Sequence, residues 1–535
     1  MAVKLSPIFP DLRLSTPTRG LQTSPTGEFG LEQRLRDPPL IRGVMFSPGG
    51  PSPQVTATPL AMNKRITLTA LAVLLLPSLG SAQRRHVSLG QRSIQPKTSE
   101  VIRGLKGEPI GIDVPFEAAV GGTIAPPIAP SASATALLHR VYKVRIPATG
   151  TSWVEHMIVG VPDQIVGPTP VLVLFHGYGE DPEDLAFSTE YIQKARQQGW
   201  LVIAPLGAHK FNFGIEYAQR NTEVALEFLA AYFPLDLDRI YGVGFSMGSG
   251  WMTSFAARHT SSDHVRFAAL VNHTGTMSIS HVHASAMDVS LLESPMMFEG
   301  SPSQFPFRYQ RASSIDLNLA LNSVDPDTDL LRNIAHTPIK TWTCATDPNL
   351  YIIEECEQFD AHLDQLGGTS DYTSGRGTGH DWSNLDEDAV LTWLAQHTRA
   401  DPDSSTLVSV LADRNARWHE FQIVQRAGGA FTPFKWGALP AFNRAYVLQG
   451  SNMAQVAFDP TDLGLSKTNP QGLDIVFSEL DNLVTRVILE DMDMPTNVLF
   501  NGISTPNWGY DASTRRLTLP YLPGPQNTNA WRVLP

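Results

Sequence analysis

Alternation of apolar and polar positions opens at Leu137. "LLHRVYKVRI" and "TSWVEHMIVGVP" carry apolar residues at every second position, as strands with one solvated face do. The pattern then changes. "PVLVLFHG" and "GWLVIAPLG" are continuous apolar runs, the mark of strands covered on both faces. "DRIYGVGFSMGSG", "VRFAALVNHTG", "PIKTWTCATD" and "TSDYTSGRGTGHD" continue the series. Between them, helical spacing predicts helices over 182–198, over "NTEVALEFLAAYF" with Asn221 or Thr222 as N-cap, over 353–366 and over 387–397. Strands alternating with helices imply a parallel sheet with helices on both faces, and the two amphipathic strands in front suit an antiparallel edge. One connection, 277–335, is far longer than the rest, and connections of that length are usually functional or disordered.

After Ala400 the texture shifts. "WHEFQIVQR", "RAYVLQG", "MAQVAFD", "LDIVFSEL", "LVTRVILE", "TNVLFNG" and "RRLTLPYL" are short strand candidates with turn residues between them, and Asn501-Gly502 is a hairpin turn. With no convincing helix among them, residues 400–535 read as a small all-β, sandwich-like domain behind a catalytic unit at 137–399. Trp418, Trp436, Trp508 and Trp531 all fall in this unit. Four tryptophans are the expected filling of a small β core, and exposed ones would instead mark a docking face for a polymer.

Upstream of the alternation the chain is different again. Residues 1–61 are rich in Pro, Ser, Thr and Gly without sustained periodicity, and cannot bury enough apolar surface to offset the entropy of ordering. "MNKRITLTALAVLLLPSLGSAQ" then sets Lys64 and Arg65 before an apolar run that ends at Pro77 and small residues. That order is a signal peptide over 62–82, cleaved after Ala82. The run is shorter than the roughly 20 residues a spanning helix wants, which disfavours a membrane anchor, and no partner elements nearby favour a core helix. Translation starting at Met62 would explain the buried position of the leader; a long disordered extension is the rival. Residues 83–136, with "GGTIAPPIAPSASATA", read as a flexible linker.

Composition narrows the partners. The chain has 535 residues, 42% hydrophobic and 17% charged, with a formal net charge of −12. This argues against a nucleic-acid or anionic-membrane surface, and no Lys/Arg stripe appears. Only two cysteines occur, Cys344 and Cys356, and in an exported chain such a pair is expected to be bridged.

The chemistry centres on Gly244-Phe245-Ser246-Met247-Gly248, a G-x-S-x-G pentapeptide between a buried strand and a helical stretch. Glycines flank the serine because strand and helix must approach closely there. A serine hydroxyl needs a base to take its proton. In the order that goes with this motif the acid follows the serine and the histidine comes last. His380, on a loop after the last strand, fits the base. Asp347, at the C-terminal end of the preceding strand, fits the acid that holds its tautomer. His273 comes too early, and His281 and His283 fall in the long connection, where H-x-H is also a weak metal motif. Asp381 adjoins His380 and should point away, and Asp360 lies inside a helix. Oxyanion donors are expected from the backbone amides of Met247 and, in His176-Gly177-Tyr178-Gly179, of Tyr178.

Over 137–399 the chain resembles the α/β-hydrolase superfamily. "LFHGYGEDPEDL", "GWLVIAPLG", "DLDRIYGVGFSMGSG" and "RFAALVNHTG" look most like extracellular esterases of the polyhydroxybutyrate depolymerase and feruloyl esterase type, and somewhat like the catalytic domain of prolyl oligopeptidases. The resemblance implies a doubly wound, mostly parallel sheet and hydrolysis of small or polymeric carboxylic esters through an acyl-serine, without cofactor or metal. A serine peptidase and an inactive scaffold acting as a binding protein are the alternatives. No propeller repeat precedes the catalytic unit, which weighs against the peptidase. Met and Phe residues in "SPMMFEGSPSQFPFRYQR" either cap an apolar acyl pocket or pack the long connection onto the sheet.

Overall fold

The sheet follows the apolar pattern strand by strand. The structure, a computed structural model, describes residues 123–124, 141–146 and 149–535, apart from 263, 286–288, 319–320, 322, 345, 376, 481–485 and 523–527. The leader at 62–82, the residues before it and nearly all of the linker at 83–136 lie outside the described residues.

The strands in chain order are β1 Thr123–Ile124, β2 Val141–Ile146, β3 Glu155–Gly160, β4 Thr169–Phe175, β5 Leu201–Pro205, β6 Leu235–Phe245 and β7 Ala269–His273. They continue with β8 Leu317–Asn318, β9 Ser323–Val324, β10 Ile339–Trp342 and β11 Ser370–Thr373. Nine of them form one sheet in the order β1-β2-β3-β5-β4-β6-β7-β10-β11. β1–β2, β2–β3 and β3–β5 pair antiparallel, and every pair from β5 to β11 is parallel. This is the α/β-hydrolase fold, with the amphipathic strands at the antiparallel edge. β1 falls inside the stretch expected to be linker, and corrects that expectation for two residues.

Helices cover both faces: α1 Pro182–Ser188, α2 Tyr191–Gln197, α3 Glu216–Tyr232, α4 Met247–Arg258, α5 Ile279–Ser285, α6 Val289–Leu292, α7 Pro306–Ala312, α8 Leu350–Gln365 and α9 Glu387–Leu394. Successive side chains of a strand point to opposite faces, and β4 shows it. Val171, Val173 and Phe175 join a core shared with α3, α4 and α8, whereas Leu172 and Leu174 join a second core shared with α1, α2 and α9. The helix expected over 182–198 is thus two helices. The expected N-cap is also corrected. α3 begins at Glu216, so Asn221 and Thr222 lie inside it, where Thr222 bonds back to Ala218 O and Asn221 donates to Glu155.

The long connection is ordered into α5, α6, α7, the β8–β9 hairpin and a 3₁₀ turn at Leu331–Ile334. Met297 and Phe298 are buried in the core, while Met296 and Phe305 stay exposed. Among the described residues, no helix is long and apolar enough to cross a membrane.

Beyond Ala400 two further sheets, of seven and six strands, enclose one apolar core. Trp418, Trp436 and Trp531 are buried in it and Trp508 packs against it, so they fill a core. Asn501 and Gly502 form the turn between Asn497–Phe500 and Ile503–Ser504, both with positive φ, as a tight two-residue hairpin requires. Two pairs, Arg444–Leu448 with Leu473–Ser478 and Met453–Phe458 with Arg486–Leu489, are parallel. This unit also enters the other: Leu411 packs into the hydrolase core, and its backbone N–H and C=O are both held by the Asn333 side chain, at 2.8 and 3.0 Å.

Candidate active site

The turn between β6 and α4 is the site's foundation. Ser246 alone separates strand from helix, at φ 54° and ψ −123°, a region that costs a non-glycine residue strain. The turn is held by Ser246 N–H donating to His273 O (2.9 Å) and Thr276 N–H donating to Ser246 O (3.2 Å). The two glycines of the pentapeptide are demanded by close approach. A Cβ on Gly244 would stand 2.6 Å from Ser249 Cα, and one on Gly248 2.2 Å from Phe175 O.

β10 and β11 deliver the other two residues. Asp347 follows β10 with its carboxylate sealed from solvent; Oδ1 accepts the Asn349 N–H at 2.8 Å and Oδ2 accepts from His380 Nδ1 at 2.6 Å. His380 follows β11, its ring against Phe245 at 4.6 Å between centroids. Three hydrogen bonds fix its loop: Gly379 N–H to Thr346 Oγ1, Thr378 N–H to Asn384 Oδ1, and Asn384 Nδ2 to Gly379 O. An imidazole whose Nδ1–H is given to a carboxylate presents Nε2 as proton acceptor. Neither that nitrogen nor Ser246 Oγ has a hydrogen-bond partner among the described residues. Such contacts are often long in an enzyme without substrate and tighten when it binds.

The loop after β4 carries the amide of Tyr178, whose half-exposed ring packs on Phe211 and Phe213 at 4.9 and 5.6 Å. Met247, the other expected donor, is the first residue of α4. Helix N-termini leave their first N–H groups without intrahelical partners. The loop is tied on both sides: Gly179 N–H donates to Lys210 O, and Gly177 N–H to Glu180 Oε2 at 2.6 Å. A second carboxylate lies below. Glu155, fully buried on β3, accepts the N–H groups of Leu206, Gly207 and Ala208 and the side chain of Asn221. Burial pushes its carboxyl up to about 7 against the opposing pull of these bonds. Leu206 O in turn meets His176 Nε2 at 3.0 Å.

The competing residues are employed elsewhere. His273 is buried with neither ring nitrogen bonded, and burial holds it down at about 3, so it is neutral. His281 faces Glu355, and His283 faces Glu293. No group of three metal-ligating side chains occurs among the described residues. Asp381 caps the short helix that follows His380, accepting the Ser383 N–H. Cys344 and Cys356 correct an expectation: both are buried free thiols. Cys356 accepts from Gly275 N–H and donates to Gly275 O, and Cys344 meets Thr346 Oγ1. Glu180 and Trp382 were not singled out from the sequence, because Glu180 opens an acidic run, "EDPED", that reads as a solvated helix start.

Neither a family model nor a curated protein matches the sequence. Among solved structures, an S-formylglutathione hydrolase from Agrobacterium tumefaciens aligns at 15% identity, with 48% of this chain and 95% of that one covered and a TM-score of 0.36. A ferulic acid esterase aligns at 16% identity over 48% and 96%, with a TM-score of 0.34. The Pyrococcus horikoshii acylaminoacyl peptidase aligns at 13% identity, over 47% of this chain and 41% of that one, with a TM-score of 0.35.

Proposed function

We propose that this chain is an exported serine hydrolase that cleaves carboxylic esters through an acyl-serine intermediate. The observation that carries the reading is the Asp347–His380 pair at 2.6 Å, on the loops that follow β10 and β11, with Ser246 on the strained turn that follows β6. Ser246 Oγ attacks the ester carbonyl carbon while its proton passes to His380 Nε2, and Asp347 stabilises the imidazolium. The oxyanion takes hydrogen bonds from the amides of Met247 and Tyr178. As the C–O bond breaks, His380 returns the proton to the leaving alcohol. Water, deprotonated by the same imidazole, then releases the acid. The leader at 62–82 supports export, which sets the reaction outside the cytoplasm.

The test is a panel of p-nitrophenyl esters, short polyesters, feruloylated sugars and peptides, turned over by the wild type and by Ser246→Ala. Ester hydrolysis should fall by at least about 10⁴-fold in the variant, with its thermal melt unchanged. Cleavage of peptides but not esters would make it a peptidase. Inactivity of both proteins on every substrate would leave a binding scaffold.

A further inference from the structure

The Tyr178 amide and the His380 imidazole sit on separate loops, and a reaction that uses both needs their separation held constant. One carboxylate oxygen joins the two. Glu180 Oε2 accepts Gly177 N–H at 2.6 Å from the first loop and Trp382 Nε1–H at 3.1 Å from the second. Glu180 N–H also returns to Gly177 O, so residues 177–180 close into a turn with Tyr178 at its tip. Trp382 lies two residues beyond His380 and is buried, with its ring against Phe245 (4.9 Å), His273 (5.9 Å) and Tyr191 (6.3 Å). The short helix it opens, Trp382–Asn384, ends on the Asn384 side chain that clamps Thr378 and Gly379. A Cβ on Gly177 would stand 3.0 Å from both Glu180 Oε2 and Phe245 Cδ1, so the turn has no slack.

We propose that Glu180 is a positioning residue that sets the oxyanion amide of Tyr178 against the His380 loop, with Trp382 Nε1–H as its second anchor. This rests on the reading of Ser246, His380 and Tyr178 given above. Glu180 touches no substrate. It acts through Gly177 and Trp382, so its effect belongs to the transition state, in which the oxyanion forms, and not to substrate binding.

The experiment measures kcat and KM on an ester that the wild type turns over and Ser246→Ala does not; that control tests the underlying reading by itself. Glu180→Ala should lower kcat about 100-fold, the scale of one lost oxyanion donor, with KM changed less than about threefold. Glu180→Gln keeps an acceptor oxygen and should recover most of the rate. Trp382→Phe keeps an aromatic ring but removes the N–H with the pyrrole half of the indole, and should lower kcat about 10-fold. Combined with Glu180→Ala, it should add nothing, since the bond it removes is already gone. An unchanged kcat in Glu180→Ala, a loss confined to KM, or a fully multiplicative double variant would each overturn the proposal. Should Glu180→Ala fail to fold, Trp382→Phe carries the same test: an unchanged kcat there would overturn it.

Discussion

Glu155 and Asp413 are both sealed from solvent, and their surroundings pull them in opposite directions. Glu155, under the loops of the candidate site, faces only backbone N–H groups and one amide, and burial pushes its carboxyl up to about 7. Asp413, at the seam with the β-domain, is also pushed up by burial, but three guanidiniums, Arg258, Arg414 and Arg311, reverse this and hold it well below the ordinary carboxylate range. The two regions are joined by one helix. α4 starts beside Ser246 and ends at Arg258, whose buried side chain reaches Asp413 at 2.8 Å and Glu216 at 2.6 Å. Arg311, from the long connection, bonds the same two carboxylates, and Arg414 adds Asp413 Oδ1 at 3.1 Å. The end of the helix nearest the reacting groups is therefore held by backbone geometry and neutral partners. The far end is held by full charges, and cations there also suit the negative pole of the helix. Asp347 is set against the proton that Ser246 would give to His380, whereas the cluster of guanidiniums and carboxylates lies at the other end of the helix, where two domains must stay together.

The largest effect should come from removing charge at the seam. Asp413→Ala takes one of two carboxylate partners from the buried Arg258 and from the partly buried Arg311, and breaking a buried pair from one side costs about 3–5 kcal/mol. Urea unfolding should show that loss while kcat per folded molecule stays within about twofold, because the reacting end of α4 keeps its own supports. A stable variant with collapsed activity would break the division between the two ends.

Glu155 sharpens the same contrast through pH. Its folded-state carboxyl titrates near 7 against an ordinary value of 4.5. Between those values the folded chain keeps a proton that the unfolded chain has released. Stability from this group therefore falls as pH rises through that window and levels off above it. The full excursion is worth up to about 3 kcal/mol. Glu155→Gln cannot ionise and should lose this slope in urea melts at pH 5, 6, 7 and 8. Its amide also sets a donor against N–H groups that now meet two acceptor oxygens, so it should be less stable by about 2 kcal/mol at its best pH. An unchanged slope in the variant would mean that burial does not govern this carboxylate.

Neither carboxylate could be read from the sequence, and the reason is the same for both. Apolar periodicity reports which face of an element is covered, and it made the sheet, its antiparallel edge and the serine turn legible. Polar groups inside the fold are assigned by contacts between distant segments. Glu155 meets Asn221 across 66 positions and Arg258 meets Asp413 across 155. The misplaced N-cap has this cause too: Asn221 and Thr222 look like a helix start only while their buried partners are unknown. In the β-domain, Thr432–Leu439 is a strand despite its proline, and Pro433 pairs opposite Leu411 in the sheet. Ser246, Asp347 and His380 stood out because their order along the chain and their strand-end positions are local features. Glu180 did not, since one acid among four in "EDPED" carries no local mark of the tryptophan it would meet 202 positions away.

The thiols give the smallest expected effect and test the neutral side of the division once more. A bridge between Cys344 and Cys356 would close a short loop worth roughly 3 kcal/mol, lost on reduction. As free thiols they should leave the melting temperature the same with and without reductant. Cys356 resembles Glu155 in kind. It packs against Gly275 and Asn272 beneath the serine turn, and burial pushes its thiol up to about 12, so no reactive thiolate forms at neutral pH. A thiol reagent should therefore label neither cysteine in the folded protein, and both after unfolding in urea without reductant. Failure to label after unfolding would restore the disulfide. Rapid labelling of Cys356 in the folded state would place an ionised group under Ser246 and remove the ground for saying that neutral partners hold that end of the helix.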